Sequence, residues 1–332
     1  VYASAIFGAL TGSANATCAT FSKLLGPEMI DNGYPDDWTA ATIAACAPLG
    51  QLIPPSVTCI VLGVATGLSI GSLFIVDLSI GLLTVVFLTV AIVYMSIRHG
   101  FGGSDRVFTA KEKRDAFLRF LPLVSVPVIV IGGMYGGIFT ATEAGAIGSA
   151  FSFVLALIYR RLNLKMVVEI FSDAGKTAAT VLLLCASSYV ISYVMSMSGM
   201  TKFFVNMLTD ICNISPMLGM LFLLAVLLVM GCFIDLIVLC IILAPTAVTA
   251  LAPFGINPYA VCAIFLIGNL IGIITPPVGV ALFISSSSLK VKMEAISRKV
   301  VPYIIVYIIL TLLLIAIPDL SLVLPRLMGM DV

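Results

Sequence analysis

The sequence predicts an all-α polytopic membrane protein, and three observations carry that prediction. Of its 332 residues, 61% are hydrophobic and only 10% are charged, against about 25% charged in a soluble domain. The 17 Lys and Arg and 16 Asp and Glu are too few to clothe a water-facing globule of 35.0 kDa, and mean hydropathy is +1.20. The apolar residues come in runs, several close to the ~20 residues that a helix needs to cross the hydrocarbon. An internal repeat, set out below, is the third observation. This composition excludes a soluble enzyme, a disordered chain and a nucleic-acid partner, which would call for a basic surface. The alternation of a membrane barrel is absent, so the spans are helices in membrane lipid.

In chain order, residues 1–25 read as an apolar pair interrupted by Thr11-Gly-Ser-Ala-Asn15, a hairpin tipped with turn and cap residues. Residues 38–66 read as one helix broken at Pro54-Pro55, where each Pro removes an N–H donor and clashes with the preceding turn. A polar stretch, 69–78, leads to a span at 79–97. The basic loop 98–118 follows with Arg98, Arg106, Lys111, Lys113 and Arg114, and Arg119 stands at its end. Spans at 119–138 and 142–160 go out and back. The cluster Arg160, Arg161, Lys165 and Lys176 precedes a span at 177–198, and 199–215 reads as an external loop holding Cys212. The runs 216–230 and 236–250 are each ~22 Å of helix, short of the hydrocarbon thickness, so they read as a second, re-entrant hairpin with its tip at Gly231–Asp235. Residues 259–288 read as a second broken helix. The amphipathic stretch 289–300, with Lys290, Lys292, Arg298 and Lys299, leads to a last span at 302–324. Basic residues mark the cytoplasmic side. Placing these clusters and Lys23 inside leaves only Lys202 and Arg326 of the 17 basic residues outside, with the C-terminus.

Two strings match at an offset of 222 residues: LGQLIPPS at 49–56 and IGIITPPV at 271–278. Gly33/Gly255, Gly50/Gly272, Pro54/Pro276 and Pro55/Pro277 coincide, and Ser13 aligns with Asp235. Each copy has an interrupted pair upstream and a long span downstream. The predicted orientations are opposite, which makes an inverted repeat: 1–97 is an incomplete first copy, 98–118 the cytoplasmic link and 119–325 the second copy. The second copy carries residues 119–215 ahead of its hairpin and the first has no counterpart, so a segment of similar length is expected ahead of Val1. Gly- and Pro-interrupted segments at matching places in two inverted halves point to a secondary transporter's binding site.

Asp235 sits in the middle of an apolar stretch, where an ionisable side chain faces a cavity or a cation by default; capping the helix that follows is the plainer role. The carbonyls freed at the Pro-Pro pairs, with the hydroxyls of Ser56 and Thr275, offer oxygen to a hard cation such as Na⁺. Half-helix N-termini at the tips offer N–H groups to an anionic substrate. Thr11, Ser13 and Asn15 are polar and uncharged; turn and cap duty alone also accounts for them. Glu143 forms Thr140-x-x-Glu143, a capping box that requires no further role. Asp77 falls near the end of the 79–97 span. The eight cysteines form no C-x-x-C and His99 is the only histidine, which argues against His/Cys metal ligation and leaves the cysteines as small apolar residues. Gly175-Lys176-Thr177 lacks the leading Gly of a phosphate loop, since position 170 is Ile. The glycosylation patterns at Asn15 and Asn213 are discounted. A nucleophilic Ser13 has no nearby His.

The motifs GGIFTATEAGA (136–146), LGQLIPPS (49–56), GCFID (231–235) and NLIGIITPPVGVALF (269–283), in this arrangement over nearly the whole chain, resemble the large membrane subunit of tripartite ATP-independent periplasmic (TRAP) transporters. Ala141 stands where that family usually has Pro. The resemblance implies an elevator-type transporter with two re-entrant hairpins and Na⁺ coupling in the bacterial inner membrane, its C-terminus periplasmic. It also implies two partners: a small membrane subunit, and a periplasmic binding protein delivering a dicarboxylate or a sialic acid. Ser13, Asn15, Gly50 and Ser56 are then assigned to one Na⁺ site and Asp235, Gly272, Thr275, Pro276 and Gly279 to the other, with Thr11, Ser13 and Ser56 toward the substrate. A stand-alone Na⁺- or H⁺-coupled elevator symporter is the alternative within transport. An aspartyl intramembrane hydrolase needs two facing carboxylates where only Asp235 is central, and a purely structural subunit has no use for broken helices.

Overall fold

The computed structural model describes residues 1–101, 109–160, 162–330 and 332. Arg106 and Arg161, the middle of the 98–118 link and the side chain of Arg119 lie outside the described residues. Seventeen α-helices and no strand are found among those described. In the first half these are α1 (Tyr2–Thr11), α2 (Ala14–Asp31), α3 (Asp36–Cys46), α4 (Leu49–Leu52), α5 (Val57–Thr66) and α6 (Ile70–His99). Four follow before the second hairpin: α7 (Ala110–Tyr135), α8 (Ala141–Ile158), α9 (Leu164–Met197) and α10 (Met200–Ile214). The rest are α11 (Pro216–Gly231), α12 (Leu236–Ile242), α13 (Ala244–Leu251), α14 (Pro258–Ile273), α15 (Val280–Leu289), α16 (Met293–Ala316) and α17 (Asp319–Leu327).

The punctuation is local chemistry. Gly12 takes φ +59° after α1, and Ser13 caps α2 by accepting from the Ala16 N–H at 3.3 Å. Gly67 closes α5 at φ +74°, and Ser69 then caps α6 through the Ser72 N–H. Thr109–Glu112 and Thr140–Glu143 are reciprocal capping boxes that start α7 and α8. The peptide bonds Pro54-Pro55 and Pro276-Pro277 are both cis.

Four expectations are corrected. The predicted loop 199–215 is helix α10, with Leu208 and Cys212 buried against α11 and α13; its apolar stripe alternates with Lys202, Asn206 and Asp210, so average hydropathy hides it. The polar stretch 69–78 is the start of α6, because Ser69 caps a helix there; Asp77 therefore lies two turns inside the helix and is fully buried. Lys111, Lys113 and Arg114 lie in α7, and Lys165 and Lys176 in α9, rather than in loops. Most of 289–300 belongs to α16.

Among the described residues α6, α8, α9 and α16 are each long and apolar enough to cross a membrane, and bent pairs bring the number to seven. One such pair is α3–α4 with α5, bent by 49°; another is α12 with α13, bent by 43° where Pro245 enters the chain. The same order of elements occurs twice. Ala14 and Asp36 open α2 and α3, and Leu236 and Pro258 open α12 and α14, 222 residues later; α5 and α6 begin 223 residues before α15 and α16. Left-handed residues recur in step, Gly33 with Gly255 and Gly67 with Lys290.

The two sets pack crosswise. Helix α2 lies on α15 and α5 on α12, while α3 lies on α16 and α6 on α14. The Cys18 thiol donates to the Ala281 carbonyl at 3.2 Å, and the Tyr307 hydroxyl to the Ala45 carbonyl at 2.9 Å. Helix α14 is buried from Ala260 to Gly272. By contrast, only 6% of the most apolar stretch of α9 is buried, so most of its side chains there are exposed.

Candidate functional site

The two turns meet. A cavity of about 380 Å³ is lined by Thr11, Gly12, Ser13 and Asn15 from the first turn and by Gly231 to Ile237 from the second. Gln51 and Val57 flank the first Pro-Pro loop in its wall, and Asn269, Gly272 and Val278 to Val280 surround the second. Thr177 and Val181 of α9 close one side.

Each turn is held by its own hydrogen bonds. The Thr17 hydroxyl donates to the Ser13 carbonyl at 2.9 Å and lies 3.3 Å from the Thr11 hydroxyl. Asp235 Oδ1 accepts from the Ile237 N–H at 2.9 Å, so Asp235 is a helix cap and a cavity wall together. Glycine contacts seat both turns. A Cβ on Gly8 would stand 2.7 Å from the Gly50 Cα, and one on Gly272 would strike the Gly231 carbonyl. Gly8 and Gly272 thus let α1 approach α4 and α11 approach α14 at backbone distance, and Gly50 admits the Ser13 carbonyl and the Thr17 side chain at the start of α2.

Of the residues assigned from the sequence, Thr11, Ser13, Asn15, Asp235, Gly272 and Gly279 line the cavity; Gly50, Ser56, Thr275 and Pro276 are not in its lining. Ser56 is fully buried and its hydroxyl has no partner. The Thr275 hydroxyl donates to the Ile271 carbonyl at 2.6 Å. Among the described residues, the carbonyls of Ile53, Pro54 and Pro55, and of Thr275, Pro276 and Pro277, accept no backbone hydrogen bond. Among the described residues, Asp235 is the only acidic residue in the cavity wall, and no Lys, Arg or His is in it. Glu143 is engaged with Thr140 in its capping box and lies away from the cavity. Lys176 lies in α9, paired with Asp173 at 3.1 Å.

Two wall residues escape sequence reasoning. Asn269 is 2% exposed, and neither its Oδ1 nor its Nδ2 has a partner. Gln51 donates to the Thr58 hydroxyl at 3.2 Å and leaves Oε1 buried and unpartnered. The available signal is a lone Asn in the apolar run of α14, two residues before the matching string, and a Gln inside the first string.

Comparison with known proteins gives this architecture a family. Residues 1–320 match the family model described as "Tripartite ATP-independent periplasmic transporter, DctM component". The chain is 30% identical to the C4-dicarboxylate TRAP transporter large permease protein DctM of Pseudomonas aeruginosa, over 100% of this chain and 77% of that protein. It is 32% identical to the 2,3-diketo-L-gulonate TRAP transporter large permease protein YiaN of Escherichia coli, over 96% and 75% of the two chains. To the sialic acid TRAP transporter large permease protein SiaM of Vibrio cholerae it is 30% identical, over 98% and 76%. With its apolar helices, the chain is a multi-pass integral membrane protein, and a permease rather than an enzyme. It belongs to the DctM family, the large permease component of tripartite ATP-independent periplasmic transporters.

Proposed function

We propose that this chain imports a small organic acid across the bacterial inner membrane, driven by Na⁺. The convergence of both turns and the flanks of both Pro-Pro loops on one cavity carries this reading. A carboxylate without a cationic partner, set among apolar helices, attracts a cation, and the carbonyls left free at the two loops suit a hard one. The N-terminal N–H groups of α2, a helix of 18 residues, present a positive end to an acid. The relatives' names, for a C4-dicarboxylate, 2,3-diketo-L-gulonate and sialic acid, support a substrate of that size and charge.

On this reading the two sets of elements are an inverted repeat, and α1–α2 and α11–α12 are re-entrant hairpins in a unit that moves as an elevator. One Na⁺ lies near Ser13, Asn15, Gly50 and Ser56. A second lies near Asp235, Gly272, Thr275, Pro276 and Gly279, with Thr11, Ser13 and Ser56 toward the acid. A small membrane subunit and a periplasmic binding protein complete the transporter. The link at 98–118 is cytoplasmic and the C-terminus periplasmic, as the basic residues direct.

The test is uptake into proteoliposomes holding the complete transporter and its binding protein. Uptake should require external Na⁺. Asp235→Asn, which keeps the size and removes the charge, should abolish uptake or its Na⁺ dependence without lowering the unfolding temperature. Equal uptake in choline buffer overturns the proposal.

A further inference from the structure

Among the described residues, Asp77 is the only Asp, Glu, Lys or Arg that is fully buried. Its Oδ2 accepts from the Cys59 thiol at 3.1 Å, and its Oδ1 has no partner. No described ion pair includes it. A thiol is a weak donor, and a buried carboxylate without a counter-charge is unfavourable.

The surroundings supply oxygen. Ser56, fully buried, holds its hydroxyl beside the same Cys59 thiol. One turn beyond Asp77, on the same face of α6, a Cβ on Gly81 would lie 2.6 Å from the Leu52 carbonyl oxygen. That close approach lays α6 against the end of α4 and Ile53, where the unwound segment begins; its Ile53, Pro54 and Pro55 carbonyls are free of backbone bonds among the described residues. A carboxylate, a hydroxyl and released carbonyls form the donor set of a hard cation.

We infer that Asp77 is the anionic ligand of a buried cation site shared with Ser56. In the second half Asp235 brings the charge; in the first half the turn residues Ser13 and Asn15 are neutral, and Asp77 brings it from α6. This rests on the reading of the Ser56 side as a Na⁺ site and adds that site's charged group.

The experiment uses the purified complete transporter and Na⁺ alone as probe, following the unfolding temperature as Na⁺ replaces choline. Asp77→Asn should raise the Na⁺ concentration for half-maximal stabilisation by about tenfold or more and reduce the cooperativity of the titration toward that of a single site. Asp77→Glu, which keeps the charge, should retain a cooperative response. Ser56→Ala should shift the midpoint in the same direction, and the double variant should add little to Asp77→Asn because both act on one ion. If Asp77→Asn does not fold, Ser56→Ala and Asp77→Glu decide. Midpoint and cooperativity unchanged in Asp77→Asn and Ser56→Ala overturn the inference and mark Asp77 as a neutral, proton-bearing acid. A wild-type protein indifferent to Na⁺ overturns Na⁺ coupling itself, and this site with it. A wild-type response that Asp235→Asn removes but Asp77→Asn and Ser56→Ala keep overturns only this site.

Discussion

Asn269 sets apart a residue that shapes the fold from one that serves the cavity. Its two polar atoms are buried and unpartnered, so Leu in its place removes an unmet hydrogen-bonding need at similar volume. Such a swap is neutral or stabilising, within about 1 kcal/mol. Asn269→Leu is expected to hold or raise the unfolding temperature in detergent while transport falls by about tenfold or more; a drop in stability with normal uptake would contradict that role. Glycines give the opposite pair. Gly272→Ala drives a methyl group into the Gly231 backbone, which cannot yield as a side chain does, and should cost about 1–3 kcal/mol. Gly175, inside α9, has nothing within 4 Å of its Cβ position, so Gly175→Ala should gain about 0.5–1 kcal/mol from helix propensity. Residues of this scale were unevenly legible. Asp235 announces itself as a charge in an apolar run, whereas Asn269 carries no charge and Asp77 sits beside a helix start that hydropathy alone misses.

Helices were legible where chemistry punctuates them. The turns at Gly12–Ser13 and Cys232–Asp235 and the breaks at both Pro-Pro pairs follow from residues that cannot continue a helix or that cap one. Helix α10 was not, because its buried face is one stripe among polar residues. The start of α6 was not either, although Ser69 accepting from the Ser72 N–H is a cap visible in the sequence. The cavity required tertiary structure: no spacing in the chain places Gln51 and Asn269 in one wall. Orientation of the elements is testable. In a cysteine-free background, Cys at exposed Lys202 and Leu327 should react with an impermeant reagent added to intact cells, and Cys at exposed Lys111 should resist it; the reverse pattern refutes the proposed topology.

At the scale of the whole molecule the question is what drives a cycle. If two Na⁺ accompany a singly charged acid, one net positive charge enters, and the membrane potential contributes ~2.3 kcal/mol per 100 mV. Uptake should then quicken when a K⁺ diffusion potential makes the vesicle interior negative; indifference to the potential points to an electroneutral ratio. The crosswise packing of α2 on α15 and α5 on α12 has another consequence. Each half finishes its surface with helices borrowed from the other, so a chain severed between Phe101 and Thr109 should yield two pieces that are degraded when made singly and that assemble into a working permease when made together. A gene cut in two at that point would still encode one protein.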